Sequence, residues 1–214
     1  MDEEITIINS NTRNEKIKNF LVNNKKKLII GFIISFIIIS CYFLLKEIKE
    51  QRKIKLANQF NITTINFKTE SKRITVDKLI KLVNENDATY SPLALYFLID
   101  NNLIDNKNDI NNLFNKLINK TSLDKEIKNL IIYKKALFNS DFAAENDLLQ
   151  IRNPIINSES IWKSHALYLL AEYFYAKGEK EKSKEFFDKI LMLTNSNSEI
   201  VIYSQKRIDR DFSE

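Results

Sequence analysis

Residues 28 to 45 read LIIGFIISFIIISCYFLL, eighteen consecutive positions without a charge. Lys25, Lys26 and Lys27 precede the run and Lys46 follows it. As a helix it is about 27 Å long, close to the hydrocarbon thickness of a bilayer. The run therefore predicts one transmembrane helix, and whatever else the chain does is expected beside a membrane. Three other readings are weighed against this one. A cleaved signal peptide has a shorter apolar core and a small-residue cleavage site; here 27 residues come first and charged residues follow at once. Ile38-Ile39-Ser40-Cys41 loosely matches a lipidation signal with Cys41 as the modified residue, yet the apolar run continues through Tyr42-Phe43-Leu44-Leu45. A buried core helix is the third reading, and eighteen unbroken apolar residues disfavour it.

Lysine and arginine near the ends of a span favour the cytoplasmic side. Six lie before the run and five on the flank after it. The Lys25–Lys27 cluster and the short tail favour an N-terminus inside, with residues 46–214 outside. The expected order is a short cytoplasmic tail (1–27), the span (28–45), an extended helix or linker (46–74) and a helical domain (75–214).

About 170 residues after the span suffice for one domain with its own core. This part carries 27 lysines and arginines against 24 acids, interspersed as in Lys177-Gly-Glu-Lys-Glu-Lys-Ser-Lys-Glu185. No basic stripe with interleaved aromatics is present, which disfavours nucleic acid. The chain has two glycines, and only Gly178 lies beyond the span, so no phosphate-cradling loop can be built. The single cysteine excludes an intrachain disulfide. No metal-ligand spacing is visible, and no cofactor is expected. His165, the only histidine, has no evident partner and is expected to pack or face solvent.

Scarce glycine and proline, with apolar residues at helical spacing, predict an all-α fold. The span is expected to continue as helix with Ile48, Leu56, Ala57, Phe60 and Ile65 on one face, breaking around Thr69 to Arg73. Thr75 is expected to cap a helix to about Asn84, and Ser91-Pro92 to start a central one. Asn106 to Asp109 begins the next, and Ser122 and Glu126 bracket another start. Asp141 is expected to cap a short helix ending before Pro154. Ser158 or Ser160 opens a longer helix, and Ser196 or Asn197 opens the last, which reaches about Arg210.

Helix, short loop and helix in repetition is how an α-solenoid reads. The segment SHALYLLAEYFYAKGEKEKSKEFFDKIL resembles a tetratricopeptide repeat. Leu167 falls where that motif has tryptophan, and Leu170-Ala171 where it has Leu-Gly. Phe174 matches the first aromatic, Gly178 the turn glycine, Ser183 the small residue of the second helix and Phe187 its aromatic. Ile190 and Asn195 depart from the usual small residue and closing proline. An earlier unit around Phe114 has Leu98 for the small residue and Asp105 for the glycine. The sequence thus predicts one N-terminal transmembrane helix followed by an α-solenoid of degenerate tetratricopeptide-like pairs. The competing reading is an irregular helical bundle. Trp162, Tyr168, Tyr173 and Tyr175 read first as packing residues, with an aromatic wall for a bound peptide as the alternative.

The whole layout is similar to one bacterial family, the ancillary subunit of the Sec translocon. The similarity rests on Asp2-Glu3-Glu4, Lys25–Lys27, Leu28–Leu45, and the segments Tyr90–Ile118, Ser122–Phe138 and Ser160–Ile190 in that order. It implies a single-span protein of the bacterial inner membrane with a periplasmic domain and no catalytic residue. It also implies protein partners: translocon components, a membrane-anchored periplasmic chaperone and exported polypeptides. An envelope-assembly or cell-division scaffold is the alternative function.

Overall fold

A computed structural model describes residues 2–68 and 71–212, with side chains from residue 15 onward. Among the described residues the chain is all-helical. Helix α1 spans Asp2–Ile65 and is followed by a 3-10 turn, Asn66–Lys68. Then come α2 (Lys72–Asn84), α3 (Tyr90–Asp100), α4 (Lys107–Lys120), α5 (Lys125–Asn139), α6 (Glu145–Ile156), α7 (Lys163–Ala176), α8 (Lys180–Leu191) and α9 (Ser198–Asp211).

The chain divides into two compact units, residues 1–55 and 56–214. In the first, α1 is long and apolar enough to cross a membrane, and none of its most apolar eighteen-residue stretch is buried. The second unit begins earlier than the sequence suggests. Leu56, Thr63 and the partly buried Phe60 and Phe67 pack inward, so the end of α1 is core and not linker. Their spacing of three or four residues places them on one helix face. Ile48 and Ile65, expected on that face, are exposed. The expected break is seen at the 3-10 turn and at Ser71; Thr69 lies outside the described residues.

Within the second unit each helix from α2 onward packs against its neighbour in sequence, and α2 with α4, α5 with α7 and α7 with α9 meet at second remove. One apolar cluster joins the end of α1 to α2–α4, with Leu79, Leu95, Leu98, Phe114 and Leu117 at its centre. Ile131 of α5 completes it. Three smaller clusters join α5 to α9.

Several helix starts fall elsewhere than expected. Ser71, not Thr75, caps α2 by accepting from the Ile74 amide, while Thr75 is buried one turn inside. Asp87 Oδ1 accepts from the Thr89 and Tyr90 amides at the start of α3. Ser91 is instead a buried connector: its Oγ accepts from the Asp87 amide at 2.9 Å and donates to the Leu82 carbonyl at 2.7 Å. Asn106 does cap α4. Asp124 stands at the N-cap of α5, and Glu126 reaches away to the Ser160 hydroxyl and the Ile161 amide. Ala144, not Asp141, is the N-cap of α6, which runs through Pro154. The fully buried Ile155 holds that last turn in place although the proline has no amide to donate. Ser160 Oγ accepts from the Trp162 amide at the entry to α7, and Asn197 caps α9 with bonds from the Glu199 and Ile200 amides.

Candidate interaction surface

The α7–α8 hairpin is the most closely packed helix pair of the domain. Its turn is a Schellman motif. The Glu179 amide donates to the Phe174 carbonyl at 2.9 Å and the Gly178 amide to the Tyr175 carbonyl at 3.0 Å. This requires a left-handed residue between them, and Gly178 has φ +80°. Ala171 and Ser183 are fully buried where the helices meet, and Ser183 Oγ donates to the Ala171 carbonyl at 2.8 Å. The small side chains permit the approach and the hydroxyl fixes its register.

Five of the seven motif positions divide between two sides of this hairpin. Leu170 and Phe174 pack with Ala136 and Leu148 toward α5 and α6. Leu167, Ala171 and Phe187 pack with Ile190 and partly buried residues of α9. Phe174 and Phe187 therefore do not face each other, as the motif alone suggests. Phe174 stacks on Phe186, with ring centroids 5.5 Å apart and planes 4° from parallel. Phe187 meets Tyr168 and Phe212 edge-on.

The four aromatic residues considered as a binding wall lie in different environments. Trp162 stacks on Tyr133 of α5 and lies beside His165. Burial lowers the His165 pKa, and its Nδ1 has no hydrogen-bond partner. Tyr168 packs on Phe187; burial, then Glu172, pushes its pKa up to about 12. Tyr175 meets Phe212 edge-on under the Arg207 guanidinium, whose carbon lies 4.2 Å from the ring centroid. Tyr173 is buried beside Phe174. All four are thus occupied by packing against other parts of the domain, Tyr173 in the cluster with Ala136 and Leu148, and no single wall collects them.

Tyr173 does border a groove. Leu169, Glu172, Tyr173 and Ala176 of α7 and Lys177 just after it, with Ser140 and Asp141 across from them, line a space of about 450 Å³. A second cleft of about 310 Å³ lies between the α6–α7 and α8–α9 connections. Ile161 and Met192 on its walls are 63% and 81% exposed, which leaves two large apolar side chains in water. Sequence reasoning passes over both because each sits outside the periodic stripe of a helix.

Two cations shape the surroundings of α7. Arg207 of α9 makes a bidentate pair with Glu172, Nε to Oε1 at 2.7 Å and Nη2 to Oε2 at 2.9 Å, and also contacts Asp211. That fork ties α9 to α7 across the hairpin. Arg152 of α6 is fully buried. Its Nε donates to the Leu148 carbonyl at 2.8 Å, while Nη1 and Nη2 have no partner. Burial depresses its pKa to about 9, against a smaller opposing influence of Tyr173.

No group of three or more histidine, cysteine or acidic residues among the described residues is placed to hold a metal ion. No protein-family model, curated protein or solved structure matches the chain.

Proposed function

We propose that this chain is a membrane-anchored protein-interaction module whose helical domain is a short array of degenerate tetratricopeptide-like pairs. The observation that carries the reading is the α7–α8 hairpin. A left-handed Gly178 closes it, and Ala171 and Ser183 let its helices approach closely. In this reading α5–α6 and α7–α8 are successive pairs and α9 closes the array, consistent with contacts of α7 to both α5 and α9. The groove bordered by Leu169 and Tyr173 receives an extended segment of a partner. A single span supplies location, and tethering raises the local concentration of that groove near a membrane partner.

The partner class rests on the resemblance of the layout of tail, span and helical domain to one family: the chain serves as an ancillary subunit of the Sec translocon. Its domain lies on the periplasmic side of a bacterial inner membrane and meets exported polypeptides together with a membrane-anchored chaperone. A photo-crosslinking residue at Leu169 or Ala176 tests this in cells, with mild-detergent purification alongside. The expected adducts contain translocon or chaperone components. Clean recovery of the protein without them, and localisation confined to the division site, contradicts the reading and favours an envelope scaffold.

A further inference from the structure

We propose that residues 15–27 form an interfacial segment that lies on an anionic lipid surface, its apolar stripe in the headgroup boundary and lysines on both edges. The inference rests on Leu28–Leu45 crossing a bilayer. The whole segment is helical within α1. At about 100° of rotation per residue, Ile17, Phe20, Leu21 and Leu28 fall within an arc of about 100°. Lys18 and Lys25 stand at one edge of that arc, Lys16 and Lys27 at the other. Asn24 falls inside the same arc as its one polar member, Asn23 lies just beyond Lys16, Glu15, Asn19 and Lys26 occupy the opposite side, and Val22 is the one apolar residue off the stripe. Ile17, Phe20 and Leu21 are 49%, 59% and 49% exposed, so no described part of the chain covers them.

Charge selects the occupant. The segment carries five lysines and a single acid, Glu15. Long lysine stems on both sides of an apolar stripe can lie along the acyl boundary while their ammonium groups reach phosphates. The stripe is continuous with the membrane run through Leu28, which puts it where lipid is already present. Anionic headgroups attract basic residues flanking a span, and this attraction fades within a Debye length. The bend that such a segment needs has a local device. Asn24 Nδ2 donates to the Phe20 carbonyl at 3.0 Å, so that carbonyl has a second donor where the helix ladder must loosen.

The test uses the full chain with Cys41→Ser, reconstituted into phosphatidylcholine vesicles with or without phosphatidylglycerol. A nitroxide is placed in turn at Phe20→Cys, Asn19→Cys and Phe36→Cys, and its collisions with oxygen and with a water-soluble nickel chelate are measured. The label at 36 reports the span; a water-accessible signal there overturns the membrane reading and this one together. With position 36 in lipid, the expected result is a loss of nickel collisions at 20 but not at 19, in phosphatidylglycerol vesicles only. Changing Lys16, Lys18, Lys25 and Lys27 together to glutamine should return position 20 to water. Equal accessibility at 19 and 20 overturns the proposal. Protection at 20 that is the same without phosphatidylglycerol, or that requires an added protein, also overturns it.

Discussion

At the scale of single residues, left-handed positions and one buried cation decide most. Three described residues have positive φ: Asn86 at 52°, Asn102 at 48° and Gly178 at 80°. Each ends a helix. At Asn102 the bonds from the Leu103 amide to the Leu98 carbonyl and from the Asn102 amide to the Ile99 carbonyl repeat the arrangement at Gly178. A chain with two glycines therefore uses asparagine, whose short polar side chain tolerates this conformation. Reading the sequence for glycine finds Gly178 and misses the other two; Asp105, the expected counterpart, lies three residues past the actual turn. At Gly178 an added Cβ meets nothing within 4 Å, so only backbone strain opposes substitution. Gly178→Ala is expected to lower unfolding free energy by about 1 kcal/mol, and Gly178→Asn by less. Equilibrium denaturation measures both.

Arg152 yields a prediction with a defined pH dependence. Its charge is buried with two nitrogens unpaired, which costs more than its single bond to Leu148 returns. Arg152→Met should raise stability at neutral pH by roughly 1–3 kcal/mol. The native pKa of about 9 is below the unfolded value, so between the two the unfolded chain binds the extra proton. The penalty is then full below pH 9 and shrinks as pH rises toward the unfolded value. The advantage of the variant should narrow over that range in paired denaturation curves. A constant advantage would show that packing and not charge sets the difference.

At the scale of elements, helix identity is legible in the sequence, and so are the caps at Asn106 and Asn197, but other helix ends are not. Apolar spacing located the helices from α2 onward, because each buries one stripe. The cap at Ser71, the Asp87 carboxylate before α3 and the N-cap position of Asp124 are hard to read because Thr75, Ser91 and Ser122 carry similar chemistry nearby in sequence. Only tertiary contacts separate them: Ser91 is drawn inward to the Leu82 carbonyl and Glu126 across to Ser160. Leu167, Leu170, Ala171, Phe174 and Phe187 are buried in apolar clusters, and their division between two faces depends on which helices flank the hairpin. The α7–α8 approach can be tested directly. Ala171→Leu inserts bulk where Ser183 meets the helix and should cost about 1–3 kcal/mol or more. Ser183→Ala removes one hydrogen bond and should cost about 1 kcal/mol.

The α7–α9 fork depends on planar geometry. Arg207→Lys keeps the charge but loses the bidentate pairing with Glu172 and weakens stacking on Tyr175. Hydrogen exchange of α9 amides should accelerate while that of α2–α4 stays unchanged. Asp211 adds a pH signature. Hydrogen bonds from Arg210 hold its pKa below the ordinary carboxylate value. Its contribution is complete above the unfolded carboxylate pKa and is lost as pH falls through the native one. Faster α9 exchange on acidification, relative to α2–α4, is the expected outcome.

At the scale of the whole molecule, the sequence locates one long apolar helix, and the second compact unit starts at Leu56, before the helical domain that the sequence reading begins at Thr75. The apolar run Leu28–Leu45 is visible because nothing interrupts it, and none of it is buried. The domain boundary is hidden because Leu56, Phe60 and Phe67 continue the helix that leaves the run, and a helix between two units reads as a linker. Their spacing shows that they share a helix face, but the contacts with the α2–α4 cluster that make that face core are long-range. This difference separates two fragments. Residues 56–214 retain every residue of the four apolar clusters. They should unfold in one cooperative transition without lipid or detergent. Residues 75–214 lose Leu56, which is 3% exposed, together with Phe60, Thr63 and Phe67. Removing one buried leucine side chain costs roughly 2–5 kcal/mol, and here aromatic partners of Tyr90 and Phe97 go with it. Thermal unfolding of the shorter fragment should begin at a clearly lower temperature, with early loss of the α2–α4 region in hydrogen exchange. Equal stability of the two fragments would place the domain start at Thr75 and return the end of α1 to the role of a linker.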